Sequence, residues 1–428
     1  MLDFFSLGFP FTGIGKENKC QNTKTTEKNL TFNEGFRKML NLITTFFLFL
    51  WTTFLCGPTT GSYTLHRDYS GQDFFTGWDY YGFIDNTTWG NVTYVDRDTA
   101  TNQKLTYVDP TTSHAIIRVD NTTNIPPGPL VNRPTVKITT KDAFNMGSLF
   151  IIDVNHLPYG CSVWPSFWTL GINFEWPDAG EIDIIEGINN LPFNQMALHT
   201  TNGCFQASNP GQSGRTITTN CTLPEGCLVQ ETKPNSFGAA FSQAGGGVFA
   251  TQLDVSGVYI WFWSRPDVPH SITSASKDSH LNLTDWGAPS ASYPASGCDI
   301  GKFFQPQKLV LDTTLCGTWA GVPSIYAQTC GNGNGQCVSN VFGNGSNYGT
   351  AWWDISYVRV YLAVADSPPA TSSMTGTATM TTASTGGTGV VVPSDLPTAR
   401  PGNSSVGKQI WSWGLGVSSM ITVLWFIS

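Results

Sequence analysis

The chain has 428 residues, of which 12% are charged and 13% aromatic, with 44 glycines and a formal net charge of −8. So little charge beside so many aromatics excludes a disordered chain. An acidic balance with no Lys/Arg-rich stripe argues against nucleic acid or an acidic polymer as partner, whereas a neutral polymer, held by stacking and hydrogen bonds, is compatible with it.

In chain order, residues 1–38 come before Arg37-Lys38-Met39 gives way to an apolar run from Leu40 to Cys56. Small residues follow at Gly57, Gly61 and Ser62, so 39–62 has the composition of a signal peptide. Either Met39 is the true start and 1–38 is a gene-model extension, or the run is a signal-anchor behind a cytoplasmic tail. Several threonines and a length short of about 20 apolar residues favour the first.

Residues 63–364 carry many short alternating or apolar runs, among them Ala115 to Val119, Ser148 to Val154 and Val258 to Trp263. Gly, Pro and Asn clusters separate them and no long 3.6-residue period occurs there, which predicts an all-β, antiparallel sandwich. The most informative run is Gly180-Glu181-Ile182-Asp183-Ile184-Ile185-Glu186-Gly187. Alternation along a strand puts Glu181 and Asp183 on one face. It puts Glu186 on the other, unless a β-bulge at Ile184-Ile185 returns it. Two glutamates so placed lean to within about 5–5.5 Å, the separation of a retaining glycosidase. Glu181 would then be nucleophile and Glu186 acid/base, with Asp183 orienting Glu181 and helping to keep Glu186 protonated. A solvated edge strand is the plain alternative.

Cys20 and Cys56 lie in the leading segment. The other eight cysteines, an even number, predict up to four disulfides in a secreted chain, with Cys330–Cys337 the best local pairing. A metal centre is not expected, because no C-x-x-C pair occurs and the six histidines are scattered. Sequons at Asn86, Asn91, Asn121, Asn220, Asn282 and Asn344 agree with the secretory route. Residues 365–400 read as a Ser/Thr-rich linker, an O-glycosylated stalk. Residues 401–428, with small residues near Asn403, a polar spacer and an apolar tail, read as a GPI-anchor signal or a terminal transmembrane helix.

Around the acidic strand stand Trp164-Pro165-Ser166-Phe167-Trp168, Trp176-Pro177-Asp178-Ala179-Gly180 and Leu198-His199-Thr200. With Leu315-Cys316-Gly317-Thr318-Trp319 and the closing run Trp352 to Tyr361, the stretch from about Tyr63 to Ala363 resembles glycoside hydrolase family 16, in its fungal endo-1,3(4)-β-glucanase, laminarinase-type branch. Thr318 departs from the resemblance, which implies an acidic residue there.

The resemblance implies a concanavalin A-like β-jelly roll with an open cleft and catalytic Glu181, Asp183 and Glu186. It implies substrate contacts at Trp164, Trp168, Trp176 and His199, no cofactor, and a monomer acting on β-glucan; the anchor signal in 401–428 adds a membrane as partner. Asn132 and Arg133 would bind sugar hydroxyls or form a turn, and Trp261 and Trp263 would serve cleft or core. Two rivals remain on the same fold: a cell-wall transglycosylase using the same glutamates, and a glucan-binding lectin.

Overall fold

The computed structural model describes residues 62–128, 131–331 and 336–364. The expected leader, linker and anchor signal lie outside them. Among the described residues no helix is long and apolar enough to cross a membrane.

The short β-branched and aromatic runs form strands, and the Gly, Pro and Asn clusters form the turns between them. In chain order the strands are β1 (Tyr63–Ser70), β2 (Trp78–Tyr80), β3 (Val92–Tyr94), β4 (Thr106–Val108), β5 (Ala115–Arg118), β6 (Arg133–Thr135), β7 (Lys137–Thr140), β8 (Ser148–His156) and β9 (Val163–Gly171). They continue with β10 (Glu181–Glu186), β11 (Gln195–His199), β12 (Arg215–Thr216), β13 (Val229–Gln230), β14 (Gly247–Asp254), β15 (Gly257–Ser264), β16 (Ala291–Pro294), β17 (Gln307–Leu315) and β18 (Trp352–Ala363). One sheet runs β16-β15-β14-β8-β18-β5-β4, with β1 paired to β18; the other runs β12-β13-β11-β10-β9-β17-β7-β2. A short parallel pair, β3 with β6, stands apart.

The sheets share one core. Ile182, Met196, Leu198, Phe167, Leu309 and Leu311 from the second sheet meet Phe150, Ile152, Phe249, Ile260, Trp353 and Val358 from the first. This is the antiparallel sandwich that the alternation predicts, in the jelly-roll form that the resemblance implies, and it leaves the other face of the second sheet free for polar residues.

Three expectations change. Cys330 and Cys337 do not pair with each other: the disulfides are Cys161–Cys330, Cys204–Cys298, Cys221–Cys227 and Cys316–Cys337. Cys330 ends the helix Pro323–Cys330, whose packing brings it beside the start of β9, while Cys337 falls beside the end of β17. Trp261 and Trp263 belong to a second buried cluster, with Trp286 and Ile272, on the far side of the first sheet. Arg133 is fully buried and donates to the carbonyls of Asp120, Thr123, Val341 and Gly343, so it fastens loops rather than meeting sugar.

Candidate active site

The bulge is present. Against β9, Asp183 pairs with Trp168 and Glu186 with Ser166; against β11, Asp183 pairs with Ala197 and Glu186 with Gln195. Three steps on β10 thus answer two on each neighbour, which leaves one extra residue and sends both Ile184 and Ile185 into the core. Asn194, fully buried, splints it: its Nδ2 donates to the Ile184 carbonyl at 2.9 Å and its Oδ1 accepts from the Glu186 amide at 2.9 Å. Sequence reading missed this residue, because nothing local marks an asparagine in an apolar stretch as a bulge partner.

The bulge puts Glu186 on a row that crosses the sheet. Lys137, Asp312, Ser166, Glu186, Gln195, Gln230 and Arg215 are successive cross-strand partners on β7, β17, β9, β10, β11, β13 and β12. Direct cross-strand partners share a face, so the row is a polar line perpendicular to the strands. Six strand spacings make it roughly 29 Å long.

Each of the three expected tryptophans donates its indole N–H to a carboxylate. Trp164 donates to Glu186 Oε1 at 2.9 Å, Trp168 to Asp312 Oδ1 at 2.9 Å, and Trp176 to Glu181 Oε2. Trp176 is 59% exposed, Trp168 is half-buried and Trp164 is buried, its ring edge-on to Trp319 at 5.4 Å. His199 is the cross-strand partner of Glu181, and its Nε2 stands 3.2 Å from Asp183 Oδ2. It therefore sits beside the Glu181–Asp183 pair, with the Trp176 ring 6.0 Å away. Asp312 and Trp319 are additional members that the motif did not reveal. Asp312 also accepts from Tyr94 Oη at 3.0 Å and faces Lys137 across the strands. Thr318 is exposed, and its backbone N–H bonds Thr88.

Burial is the first cause of the titration behaviour of the three carboxyl groups on β10. It pushes Glu181 up to about 8, with the Asp183 charge adding to the shift and His199 and Trp176 opposing it. Glu186 rises to about 8 for the same reasons, with Trp164 and His199 opposing. Asp183 rises to about 7, and the charge of Asp312 contributes. Three acids this close do not all ionise at neutral pH, so the group holds protons where an ordinary carboxylate would not.

Glu181, Asp183 and His199 bring ligand atoms within 4.8 Å of one another and could hold a cation. Their mutual contacts are equally those of a proton-sharing cluster.

Residues 78–361 match the XgeA-like catalytic domain of glycoside hydrolase family 16. A "Probable glycosidase" of Schizosaccharomyces pombe is 34% identical over 308 residues, 70% of this chain and 69% of that protein. An endo-1,3(4)-β-glucanase of Arthroderma benhamiae is 37% identical over 238 residues, 54% of this chain and 50% of that one. The chain thus spans about half of that relative and 35% of a similar protein from Aspergillus flavus. Laminarinase 16A of Phanerochaete chrysosporium, solved with 6-O-glucosyl-laminaritriose in donor and acceptor sites, superposes with a TM-score of 0.65 at 35% identity, covering 70% of this chain and 99% of that one. An elongating family 16 β-1,3-glucosyltransferase superposes with a TM-score of 0.64 at 36% identity, covering 70% and 100%. By the extent of these matches, the chain belongs to glycoside hydrolase family 16.

Proposed function

We propose that the protein is a retaining endo-β-glucanase that cuts β-1,3, and mixed 1,3/1,4, glucans by double displacement. The observation that carries this reading is the bulged strand β10, which sets Glu181, Asp183 and Glu186 toward one face, with Glu186 in the middle of a long polar row. Glu181 attacks the anomeric carbon. Glu186 protonates the departing oxygen, and the bond from C1 to that oxygen breaks as the bond from C1 to Glu181 forms. Glu186, now ionised, takes a proton from water, which attacks C1 and releases Glu181. Asp183 and His199 hold Glu181 in place. The row extends on both sides of Glu186 (three spacings toward Lys137 and three toward Arg215), which suits a polymer bound along its middle rather than at an end.

A second reading, transglycosylation with the same glutamates, draws support from the likeness to an elongating β-1,3-glucosyltransferase. A sugar hydroxyl then replaces water in the second step. The test is a time course with a defined β-1,3-glucan oligosaccharide and the chain produced in a secretory host. Shorter products alone support hydrolysis; products longer than the starting sugar support transfer. Glu181→Gln should abolish both while leaving the fold intact, and full turnover in that variant would sink both readings.

The four disulfides and the sequons support a secreted protein. Attachment to the cell surface through a GPI anchor is part of the same proposal and rests on the sequence of residues 401–428. Release from membranes by a phosphatidylinositol-specific phospholipase tests it.

A further inference from the structure

The loop 81–90, between β2 and β3, turns four large apolar side chains to solvent: Trp89 at 71% exposure, Phe83 at 63%, Ile84 at 48% and Tyr81 at 41%. One such residue on a surface needs no explanation, but four within nine positions form a patch of the kind that contacts something. The loop is fastened at its centre. The Asp85 carboxylate is buried and accepts from the Thr87 amide at 3.0 Å and hydroxyl at 2.9 Å, the Thr88 and Gly90 amides at 3.0 Å each, and Thr314 Oγ1 at 2.8 Å. Burial alone would raise Asp85; these bonds, with that from the Thr88 hydroxyl, hold it down at about 2. A Cβ on Gly90 would come 1.8 Å from Thr314 Oγ1, so glycine is what lets the loop close onto β17. Trp89 is held at φ +57°, a left-handed conformation that a bulky residue rarely adopts. Fastening and strain together present an aromatic ring to water, which is a pre-organised contact and not a loose turn.

Three contacts place this loop against the catalytic side of the sheet. Thr314, which Asp85 grips, is the cross-strand partner of Trp164, the donor to Glu186. The Thr318 amide donates to the Thr88 carbonyl at 2.9 Å, one residue from Trp319, whose ring meets Trp164. At the loop's other end the Tyr81 ring lies 5.4 Å from Lys137 Nζ, which itself lies 5.1 Å from the Trp168 ring. The loop is therefore fastened beside the tryptophans next to the acids.

We infer that the loop 81–90 is an accessory wall that stacks the rings of a long, neutral β-glucan beyond the sugars handled by Glu181 and Glu186, with Trp89 and Phe83 as its platforms. This rests on the glucanase reading and adds to it a selection for chain length. Neither Tyr81, Phe83, Ile84 nor Trp89 carries charge, and Asp85 is spent within the loop, so the wall offers stacking to C–H faces and no counter-charge. A short oligosaccharide bound across the acids does not reach the wall; a polymer does.

The experiment compares KM and kcat of wild type, Trp89→Gly, Phe83→Ala and the double variant on a long β-1,3-glucan and on a β-1,3-linked tetrasaccharide. Trp89→Gly removes the ring and suits the left-handed backbone, so the loop keeps its shape. Unchanged kcat and KM on the tetrasaccharide verify folding in every variant. The expected result is a polymer KM raised about fivefold in each single variant and about tenfold or more in the double, with kcat unchanged. No change on the polymer, or an equal change on both substrates, overturns the inference. Failure of the wild type to cut either substrate overturns the glucanase reading and this one with it.

Discussion

The two sheets of this sandwich share a core but use tryptophan in opposite ways on their outer faces. On the second sheet and the segment between β9 and β10, Trp164, Trp168 and Trp176 each spend the indole N–H on a carboxylate, namely Glu186, Asp312 and Glu181. On the first, Trp261 donates to the Gly287 carbonyl and is sealed with Trp263 beneath the segment that follows β15, whose own Trp286 donates to the Ser271 hydroxyl. Composition does not separate the two sets. The partner of the N–H does: a neutral backbone or hydroxyl acceptor marks a ring that serves packing, while an acid marks a ring that also sets the charge of its surroundings.

The comparison breaks first if the wrong face controls turnover. Glu186→Gln should lower kcat by about 10²–10⁴-fold with thermal stability retained. Trp261→Ala on the opposite face should cost about 3–5 kcal/mol in denaturant unfolding, yet leave kcat per folded molecule unchanged. A large kcat loss in the second variant would end the distinction.

A finer test uses the N–H itself. Trp164→Phe keeps an aromatic ring but removes the donor that favours ionised Glu186. Glu186 should rise further, and the alkaline limb of kcat/KM should move up by about one pH unit. Trp261→Phe should leave that limb in place.

A further test is the pH dependence of stability. Folding raises Glu181 and Glu186 from 4.5 to about 8 and Asp183 from 3.8 to about 7. A raised acid stabilises the fold fully below its unfolded value and loses that contribution as pH climbs through its folded value. Unfolding free energy measured by urea should therefore decline between about pH 5 and pH 8, and decline less steeply in Glu186→Gln. An identical slope in the variant would show that Glu186 is not among the groups releasing protons.

The acids and the bulge were legible because three carboxylates on one strand can share a face in only one way, by adding a residue at Ile184-Ile185. The tryptophans near them were legible by their nearness in sequence. Their partners were less so: Asp312 lies 144 residues from Trp168, and the asparagine that splints the bulge sits on the segment leading into β11. The four disulfides were expected in number, but the pairing of Cys330 failed for a related reason. A short Gly/Asn loop makes Cys330–Cys337 easy to draw, but the helix before it carries Cys330 to Cys161, 169 residues away, and leaves Cys337 to Cys316. The loop 81–90 carries no motif beyond the Asn86 sequon; its meaning depends on Asp85 meeting a threonine 229 residues further on. Local pattern reveals a face, whereas the groups that set its charge and extent come from elsewhere in the chain.

The bulge on β10 is one codon wide. Deleting Ile184 would leave Glu181, Ile182, Asp183, Ile185 and Glu186 in plain alternation, with all three acids still on one face. Asn194 would lose its two bonds and the core one isoleucine, while the order of acids along the face would survive. Bulged and regular forms of this strand are thus neighbours in mutational space, joined by a single in-frame deletion. Most changes of strand length turn a face inside out; here the extra residue is the one whose removal does not, so a lineage could cross between the two registers without passing through a chain whose acids face the core.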